Sequence, residues 1–327
     1  LKKMVATAGS TVRFTVGNQN AHNMFNKEDI VPGSRTRPKS ENSKEALGWA
    51  IDRGNCDTWS LQELSSEKTL KGWLKDTGLA QKYPHVALVP GNSTRGINVG
   101  IISKYPIVHV KSHADTKFPL ADGSGTTSFS RDLLRADIDV DGDKIADVSV
   151  YNTHSKSRLT SETGVSSDMQ RLSEAKAIRD IVTAEMKEFP GRHWVVTGDL
   201  NDECTDPSVQ ALLDPEGKDP WRDSLDHLAP EDRKTWPANP KPNKWGHLPA
   251  HFDHVIYDAD NSKLVNSKIL DYNLHKDGFY QSWGSDHKGV KAEFEITPSG
   301  GGKLPLLDTI SELVTTKPEQ KGGKTPA

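Results

Sequence analysis

Short apolar segments rich in β-branched residues recur along the chain and alternate with helical patterns and hairpin turns. The segments at 133–140 and 145–153 are joined by Asp141-Gly142-Asp143, whose residue types favour a hairpin. Another segment, at 193–199, directly follows residues 169–186, where apolar residues recur at helical spacing. Some predicted strands are therefore joined by hairpins and others follow helices. Both kinds of connection in one chain indicate mixed β-sheets covered by helices rather than a purely parallel sheet.

The same patterns place the remaining elements. One predicted strand begins at Val12 and breaks in the Asn-rich end of 12–25. Further strands are predicted at 58–64, 85–90, 98–103, 252–258 and 287–296. Further helices are predicted at 42–53 with Asn42 as N-cap, at 66–78, and at 206–214 with Asp206 as N-cap.

Composition narrows the classes of function. The 327 residues carry a net charge of −3, so there is no general basic field and a polyanion would have to be held locally. The longest apolar runs are shorter than a membrane span, which predicts no transmembrane segment. Cys56 and Cys204 are expected at opposite ends of a sheet, as unpaired thiols. The compartment stays open, with secretion as one alternative.

Three regions are predicted along the chain: an N-terminal extension at 1–11, a folded unit at 12–296, and a tail at 297–327. The tail begins with a Gly- and Ser-rich segment typical of a flexible linker. A short amphipathic helix is predicted at 304–314, and the remaining tail has a composition typical of disorder. We expect the folded unit to be a monomer.

Polar residues stand at the ends of the predicted strands. In HWVVTGDLND, residues 193–202, an apolar run ends in Asp199 and Asn201. Alone, this pattern favours a turn, because Asp, Asn and Gly are turn residues. The pattern recurs beside other strands, at Asn20, Gln62, Glu63, Asn152, His154, Asp253, Asp286 and His287. Since binding groups in layered α/β folds gather at strand ends, these residues together predict one site.

The residue types in this set suit phosphate chemistry with a metal ion. Glu63, Asp286 and the amide oxygen of Asn20 are hard oxygen donors of the kind that Mg²⁺ prefers. Two histidines and another carboxylate suit proton transfer and charge stabilisation at a phosphoryl group. The sequence has no Cys/His array and no HExxH, which argues against a tetrahedral structural zinc. It also has no P-loop and no GxSxG turn, which leaves a serine-nucleophile hydrolase little support.

The order of these motifs resembles that of the endonuclease/exonuclease/phosphatase superfamily over residues 12–296. In chain order the motifs are Asn20, Gln62-Glu63, NVGIISKYPI at 98–107, YNTHS at 151–155, GDLND at 198–202, FDHVIYD at 252–258 and SDH at 285–287. The resemblance implies an α/β fold, a four-layer sandwich of two mixed β-sheets flanked by helices. It also implies a metal-dependent hydrolase acting on phosphate esters by in-line attack of an activated water.

The resemblance further implies which residues bind the metal and activate the water. Glu63 is the expected principal ligand of Mg²⁺, with Mn²⁺ as an alternative ion. Asn20 and Asp286 are expected to complete the protein ligands. Asp199 is expected to orient and deprotonate the water, and Asn201 to hydrogen-bond the phosphate.

Two histidines are implied at the other side of the phosphate. His287, oriented by Asp253, and His154 are expected to stabilise the transition state and assist the leaving group. Asn98 is expected to help shape the phosphate site. His22 stands where the apurinic-site endonuclease branch usually has an acidic residue, and that branch tends to have tyrosine in place of His154. Both departures favour the branch of pancreatic-type deoxyribonucleases, sphingomyelinases, deadenylases and inositol-polyphosphate phosphatases.

The substrate stays open among several classes. For DNA or RNA, candidate contacts to backbone phosphates are the loop residues Arg35, Arg37, Lys39 and Lys44, together with Lys156 and Arg158. Scattered Lys and Arg in loops are also typical of an ordinary solvated surface.

Other classes of substrate, and a binding protein, remain as alternatives. For a lipid phosphodiesterase, Trp236 and Trp245 of the Pro-rich segment 234–250 are candidate membrane contacts. A phosphomonoesterase acting on a small metabolite is a further alternative. A catalytically inactive binding module is disfavoured, because every motif residue is present.

Overall fold

The computed structural model describes residues 10–34, 36–159, 164–213, 218–237, 248–271 and 284–298. Arg35, Trp245 and the helix predicted at 304–314 lie outside these residues.

Fourteen strands and four α-helices occur in the described part of the chain. The helices are α1 (Glu41–Gly54), α2 (Glu67–Asp76), α3 (Ser167–Glu188) and α4 (Pro207–Leu212). The strands are β1 (Val12–Met24), β2 (Thr58–Leu64), β3 (His85–Leu88), β4 (Asn98–Ser103), β5 (Ile107–Ser112), β6 (Phe118–Pro119), β7 (Thr126–Thr127), β8 (Leu133–Ile138), β9 (Val148–His154), β10 (His193–Asp199), β11 (Trp221–Asp223), β12 (Asp253–Asp258), β13 (Lys263–Leu270) and β14 (Gly289–Ile296).

Two six-stranded mixed sheets form the centre of the fold. The first sheet has the order β13-β14-β1-β2-β4-β3, and the second has the order β11-β12-β10-β9-β8-β5. Each sheet contains one parallel pair at its middle, β1 with β2 and β9 with β10, and all its other pairs are antiparallel. Helices α1 and α2 cover the first sheet, and α3 and α4 cover the second. The predicted four-layer α/β sandwich is confirmed.

Alternation along the strands builds the layers. In β10, Val195 joins the apolar core between the two sheets, whereas Trp194 and Val196 pack beneath α3. The same alternation in β1 and β14 gives the first sheet its inner face, with Phe14 and Phe294 in the inter-sheet core. Because successive side chains point to opposite faces, one apolar strand serves two interfaces.

Several predicted boundaries differ from the structure. Helix α1 begins at Glu41 with Ser40 as its N-cap, so the prediction of Asn42 as the cap is wrong. The Ser40 hydroxyl accepts from the backbone N–H of Ser43 at 3.3 Å, which satisfies a free donor of the first turn. Strand β1 continues past Asn20 to Met24 through a register shift. The sequence did not predict β5, β11 and β13, which lie at sheet edges and mix polar with apolar residues.

Cys56 and Cys204 are both free thiols, as predicted. Cys56 is buried behind the first sheet, whereas Cys204 is partly exposed beyond the end of β10. Among the described helices, none combines the length and the apolar character needed to cross a membrane.

Gly198 is required by the close approach of β9 to β10. A Cβ atom at this position would lie 2.3 Å from the backbone oxygen of Thr153. We expect Gly198→Ala to lower the free energy of unfolding by about 1–3 kcal/mol in chemical denaturation, since overpacking forces the backbones apart. Gly72→Ala is the matched control, because Gly72 lies in α2 with nothing within 4 Å of the added Cβ. Equal stability of Gly198→Ala and the parent chain would contradict the described pairing.

Candidate active site

Strand register brings the polar strand ends to one edge of the sandwich. In the first sheet, Asn20 of β1 lies opposite Gln62 of β2. In the second sheet, Asp199 of β10 lies opposite His154 of β9 on one side and Asp253 of β12 on the other. Since parallel neighbours end at the same edge, each central pair delivers two polar residues there.

The Asp199 carboxylate is the meeting point of the two sheets. Its Oδ2 accepts a hydrogen bond from Asn20 Nδ2 at 2.9 Å. The same oxygen lies 3.5 Å from His154 Nε2 and 3.6 Å from His287 Nε2. The other oxygen, Oδ1, accepts from the backbone N–H of Asn201 at 3.0 Å. Donors from both sheets therefore fix the orientation of one buried carboxylate.

His287 is held by Asp253. Its Nδ1 lies 2.7 Å from Asp253 Oδ2, and both side chains are buried. A carboxylate on Nδ1 fixes the ring orientation and turns Nε2 toward the site. Asp253 Oδ1 also lies 3.5 Å from Asn18 Nδ2, so the orienting carboxylate contacts the first sheet as well.

Burial and neighbouring charges set the protonation of these groups. Burial raises the pKa of Asp199 to about 7, against the opposing effect of the His287 charge. Burial and the nearby Arg131 guanidinium lower the pKa of His154 well below its ordinary value. Burial alone would lower the pKa of His287, but the Asp253 and Asp199 carboxylates raise it well above its ordinary value. One histidine is therefore neutral and the other protonated near pH 7.

Glu63 and Asp286 lie on the first-sheet side of the site. Glu63 Oε1 accepts from Asn20 Nδ2 at 3.3 Å, and its Oε2 accepts from the backbone N–H of Asn23 at 2.9 Å. Asp286 lies 3.6 Å from His22 Nδ1 and accepts from Trp236 Nε1 at 3.3 Å. The Asp286 side chain is 43% exposed, which leaves room for water around a cation.

The donor set fits Mg²⁺. Two carboxylates and one amide oxygen are hard ligands, and the partial exposure of Asp286 suits an ion that keeps several waters. Asn20 Oδ1 here accepts from the backbone N–H of His22 at 2.8 Å, while Nδ2 faces Glu63. Binding through the amide oxygen would therefore require rotation of the Asn20 side chain.

Left-handed backbone is concentrated at the site. Glu63 has φ of 61°, His22 and Asn23 have φ of 49° and 54°, and Asn201 has φ of 55°. At Glu63 the pairing of β2 with β4 is interrupted, so the strand bulges there and re-aims its side chain. Each non-glycine residue held in this region costs of order 1–3 kcal/mol, which the surrounding structure must offset.

Two cations near the site are buried, which the sequence did not predict. Lys39 is 8% exposed, and its Nζ donates to the His22 carbonyl oxygen at 3.1 Å. Burial lowers the pKa of Lys39 to about 8, although the Asp286 and Glu63 carboxylates oppose this change. Arg131 is also buried and donates to the Ser155 carbonyl oxygen at 2.9 Å. In the sequence, Lys39 is one of four basic residues in a loop predicted to contact backbone phosphates, and Arg131 belongs to no motif, so no local signal predicted their burial.

The predicted substrate-binding residues have different surroundings. Arg158 donates to the carbonyl oxygen of Asn201 at 2.8 Å and pairs with Asp202 and Asp206, contacts that hold the loop after β10. Asn98 bridges two loops, accepting from the N–H of Gly91 and donating to the Ser65 carbonyl oxygen, each at 2.8 Å.

Two further candidates lie at the surface. Arg37 is exposed between β1 and α1, and Lys156 is half-buried just after β9. Their contacts with substrate stay predictions, as do the catalytic and metal-binding roles.

Comparisons with known proteins agree with this architecture. A family model described as Endonuclease/Exonuclease/phosphatase family matches residues 34–287. The structure of a truncated TDP2 from Caenorhabditis elegans is 16% identical, covers 86% of this chain and 98% of its own, and has a TM-score of 0.56. A mannosyl-6-phosphatase from Bacteroides thetaiotaomicron is 15% identical, with coverages of 86% and 99% and a TM-score of 0.59.

A third structure has the same fold. Beta toxin from Staphylococcus aureus is 19% identical, covers 85% of this chain and 99% of its own, and has a TM-score of 0.54. At such identities these structures indicate a shared fold. A comparison with curated protein sequences finds no match.

The left-handed backbone at Glu63 predicts an inverted order of stability between two substitutions. We expect Glu63→Gly to have a free energy of unfolding about 1 kcal/mol higher than that of Glu63→Ala, because only glycine adopts positive φ without cost. Both variants lose the same carboxylate, so the difference reports the backbone. At Glu67, in the first turn of α2, the Ala variant should be the more stable of the pair. Chemical denaturation of all four variants measures both orders, and the same order at both positions would contradict the strained conformation.

Proposed function

The chain belongs to the endonuclease/exonuclease/phosphatase family, and we propose that it is a Mg²⁺-dependent phosphodiesterase of the nuclease type. Family membership makes it a metal-dependent hydrolase acting on phosphate esters. The proposal concerns the ion, the diester substrate and the residues that carry out the reaction.

The convergence of Asn20, His154 and His287 on Asp199 carries the proposal. A buried carboxylate whose pKa burial raises to about 7 is suited to take a proton from water near neutral pH. The other carboxylate oxygen, Oδ1, accepts from the backbone N–H of Asn201, a contact that does not depend on the Asn20 side chain. The groups that face this carboxylate are donors, as a transferring phosphoryl group requires.

Each residue has a distinct task in the proposed reaction. Asp199 orients the attacking water and accepts its proton. Protonated His287, aligned by Asp253, donates to a phosphoryl oxygen on which negative charge develops. Neutral His154 lines the same pocket with its Nε2 and assists the departing oxygen. Asn201 lies on the loop that leaves Asp199, where it can hydrogen-bond the phosphate.

The proposed cation lies beside these groups. Glu63, Asp286 and Asn20 would hold Mg²⁺, or Mn²⁺ in its place, and the bound ion would supply charge neutralisation at the phosphate. The Lys39 ammonium, close to the two carboxylates, partly balances their charge in the absence of the ion.

Exposed cations around the site favour a polyanionic diester. Arg37 and Arg95 are exposed, and Arg95 donates to Asn23 Oδ1 at 3.1 Å, directly beside the strained end of β1. Lys156 follows His154 by two residues and is half-buried. Several cations around one site suit contacts to successive backbone phosphates, which need no base readout.

A lipid diester is the second candidate, because two exposed leucines lie close in sequence to His154 and Asp253. Leu159 is 75% exposed and Leu248 is 84% exposed, and they follow β9 and precede β12 respectively. Apolar side chains of this kind can enter a membrane interface. Trp236 argues less for this candidate, since its ring stacks on Phe252 at 5.5 Å between centroids.

Turnover on a panel of substrates separates the candidates. We expect Mg²⁺-dependent cleavage of plasmid DNA or RNA and of bis-p-nitrophenyl phosphate, abolished by EDTA and restored by added Mg²⁺. Cleavage of sphingomyelin vesicles alone would favour the lipid candidate. Hydrolysis of p-nitrophenyl phosphate alone would favour a phosphomonoesterase. A lack of turnover on every substrate would contradict the proposal and favour a binding module.

Glu63→Gln tests the cation ligand. We expect kcat/KM for the cleaved diester to fall roughly 100- to 1,000-fold, because an amide replaces the principal charged ligand. The matched control is Glu67→Gln, whose carboxylate pairs with Lys71 at the surface and should leave turnover unchanged. Retained activity in a folded Glu63→Gln variant would show that the cation binds elsewhere.

Asp253→Asn tests the alignment of His287. An amide in place of the carboxylate cannot hold Nδ1–H in the same way, so kcat should fall at least about 100-fold with little change in KM. Asp258→Asn, at the other end of β12, is the control and should retain parental kcat. A rise in KM with unchanged kcat would indicate that Asp253 serves substrate binding instead of catalysis.

A further inference from the structure

A second cluster of potential metal ligands lies behind the candidate active site. It contains Cys204, Asp223, His251 and His254, each offering one ligand atom within 4.8 Å of the others. The first follows β10, the second ends β11, and the two histidines flank the start of β12. Asp223, His251 and His254 are buried, and Cys204 is partly exposed. None of the four belongs to the catalytic or Mg²⁺ set proposed above.

Both imidazole rings are anchored through their outer nitrogens. His251 Nε2 lies 3.0 Å from the carbonyl oxygen of Asp253, and His254 Nε2 lies 2.9 Å from the carbonyl oxygen of Asp202. Since a carbonyl can only accept, each Nε2 carries a hydrogen. Metal-binding histidines are commonly fixed in this way, with the second nitrogen turned to the metal.

The inner nitrogens face the sulfur and the carboxylate. His251 Nδ1 lies 3.3 Å from Cys204 Sγ, and His254 Nδ1 lies 2.6 Å from Asp223 Oδ2. The two imidazole rings stack with their centroids 4.1 Å apart. One ligand atom of each of the four residues lies within 4.8 Å of the others, which is close enough for one cation to bind all four.

Charge also favours a divalent cation at this point. Arg233 Nη1 lies 3.9 Å from Cys204 Sγ, so a positive charge already stands beside the sulfur. As ligands of a cation, a thiolate, a carboxylate and two neutral imidazoles would together carry two negative charges. A divalent cation makes the buried cluster neutral, which removes the cost of uncompensated buried charge.

We propose that Cys204, Asp223, His251 and His254 form a tetrahedral Zn²⁺ site. Imidazole and thiolate donors suit Zn²⁺, and carboxylate is also among its protein ligands. Four protein ligands leave no open position, which is the pattern of a structural rather than a catalytic zinc. The sequence argued against such a site because its ligands, at 204, 223, 251 and 254, follow no zinc motif. Folding brings them together from separate elements.

The site would position the catalytic residues from behind. Its histidines flank Asp253, which aligns His287, and Cys204 lies three residues after Asn201. Asp202, whose carbonyl oxygen accepts from His254 Nε2, also forms ion pairs with Arg158 and Arg171 through its carboxylate. Zinc would thus join the loop after β10 to β12 and β11, at the point where the strained residue Asn201 leaves the sheet.

Zinc content and cobalt spectroscopy of the full chain test the site. Purified protein is dialysed against zinc-free buffer that contains excess Mg²⁺. Elemental analysis should then find about one equivalent of zinc retained by the protein. Replacement by Co²⁺ should give a thiolate-to-cobalt charge-transfer band in the near ultraviolet and the intense visible bands of a tetrahedral ion. These readouts do not depend on any enzymatic activity.

Two cysteine variants locate the ion. Cys204→Ser should lose the charge-transfer band and bind zinc at least about 100-fold more weakly in chelator competition. Cys56→Ala is the matched control and should keep both properties, because Cys56 lies buried behind the first sheet and contacts the Gly54 carbonyl oxygen. Glu63→Gln should also keep the band, which distinguishes this site from the Mg²⁺ site.

A metal-free cluster would give different results. The same contacts would then be a hydrogen bond from the Cys204 thiol to His251 and an ion pair between His254 and Asp223. Wild-type protein without zinc, and without a charge-transfer band after Co²⁺ addition, would overturn the proposal even if Cys204→Ser failed to fold. A band that persisted in folded Cys204→Ser would also overturn it.

Discussion

Parallel pairing at the centre of each sheet is the constraint on which the whole site depends. If β1 ran antiparallel to β2, or β9 to β10, their polar ends would lie at opposite edges of the sandwich. The observed register instead sets Asn20 beside Gln62 and His154 beside Asp199. Face-to-face packing then brings the two pairs within hydrogen-bonding distance, as the Asn20–Asp199 contact shows.

A buried amide network holds the two sheets in this relation. Gln62 Nε2 donates to Asn18 Oδ1 and to Asn152 Oδ1, each at 2.8 Å, and Asn152 returns hydrogen bonds to backbone carbonyl oxygens of the first sheet. Unlike apolar contacts, these bonds fail when the sheets slide, because an unpaired buried polar group costs about 1–3 kcal/mol. Gln62 Oε1 has no hydrogen-bond partner among the described residues, so part of this cost is already present. The network therefore favours accurate placement of the site over maximal stability.

Sequence predicted what strand periodicity and strand ends determine, and missed what depends on long-range contacts. The four layers and the gathering of Asn20, Asp199 and His287 follow from apolar runs that end in polar residues. The burial of Lys39 and Arg131 was not predicted, because their partners come from distant segments and no local pattern distinguishes them from solvated residues. The edge strands β5 and β13 were not predicted for a related reason. Their exposure to solvent weakens the alternation of apolar residues by which a strand is recognised.

Donor chemistry separates the two proposed metals, although they lie on opposite sides of the same loops. The oxygen ligands Glu63, Asp286 and Asn20, at the partly exposed active site, favour a hard ion that retains water. The sulfur and nitrogen ligands of the cluster behind it favour Zn²⁺. Placing the zinc ligands behind the active site also bears on backbone strain. Asn201 has a left-handed backbone that must be held in place while the substrate side of the site stays accessible. Zinc ligation supplies apparent free energies of about 10–16 kcal/mol in small zinc-dependent folds, well above the cost of a few strained residues. Anchoring the loop from behind would therefore keep Asp199 and Asp253 in place while the metal–phosphate face stays open.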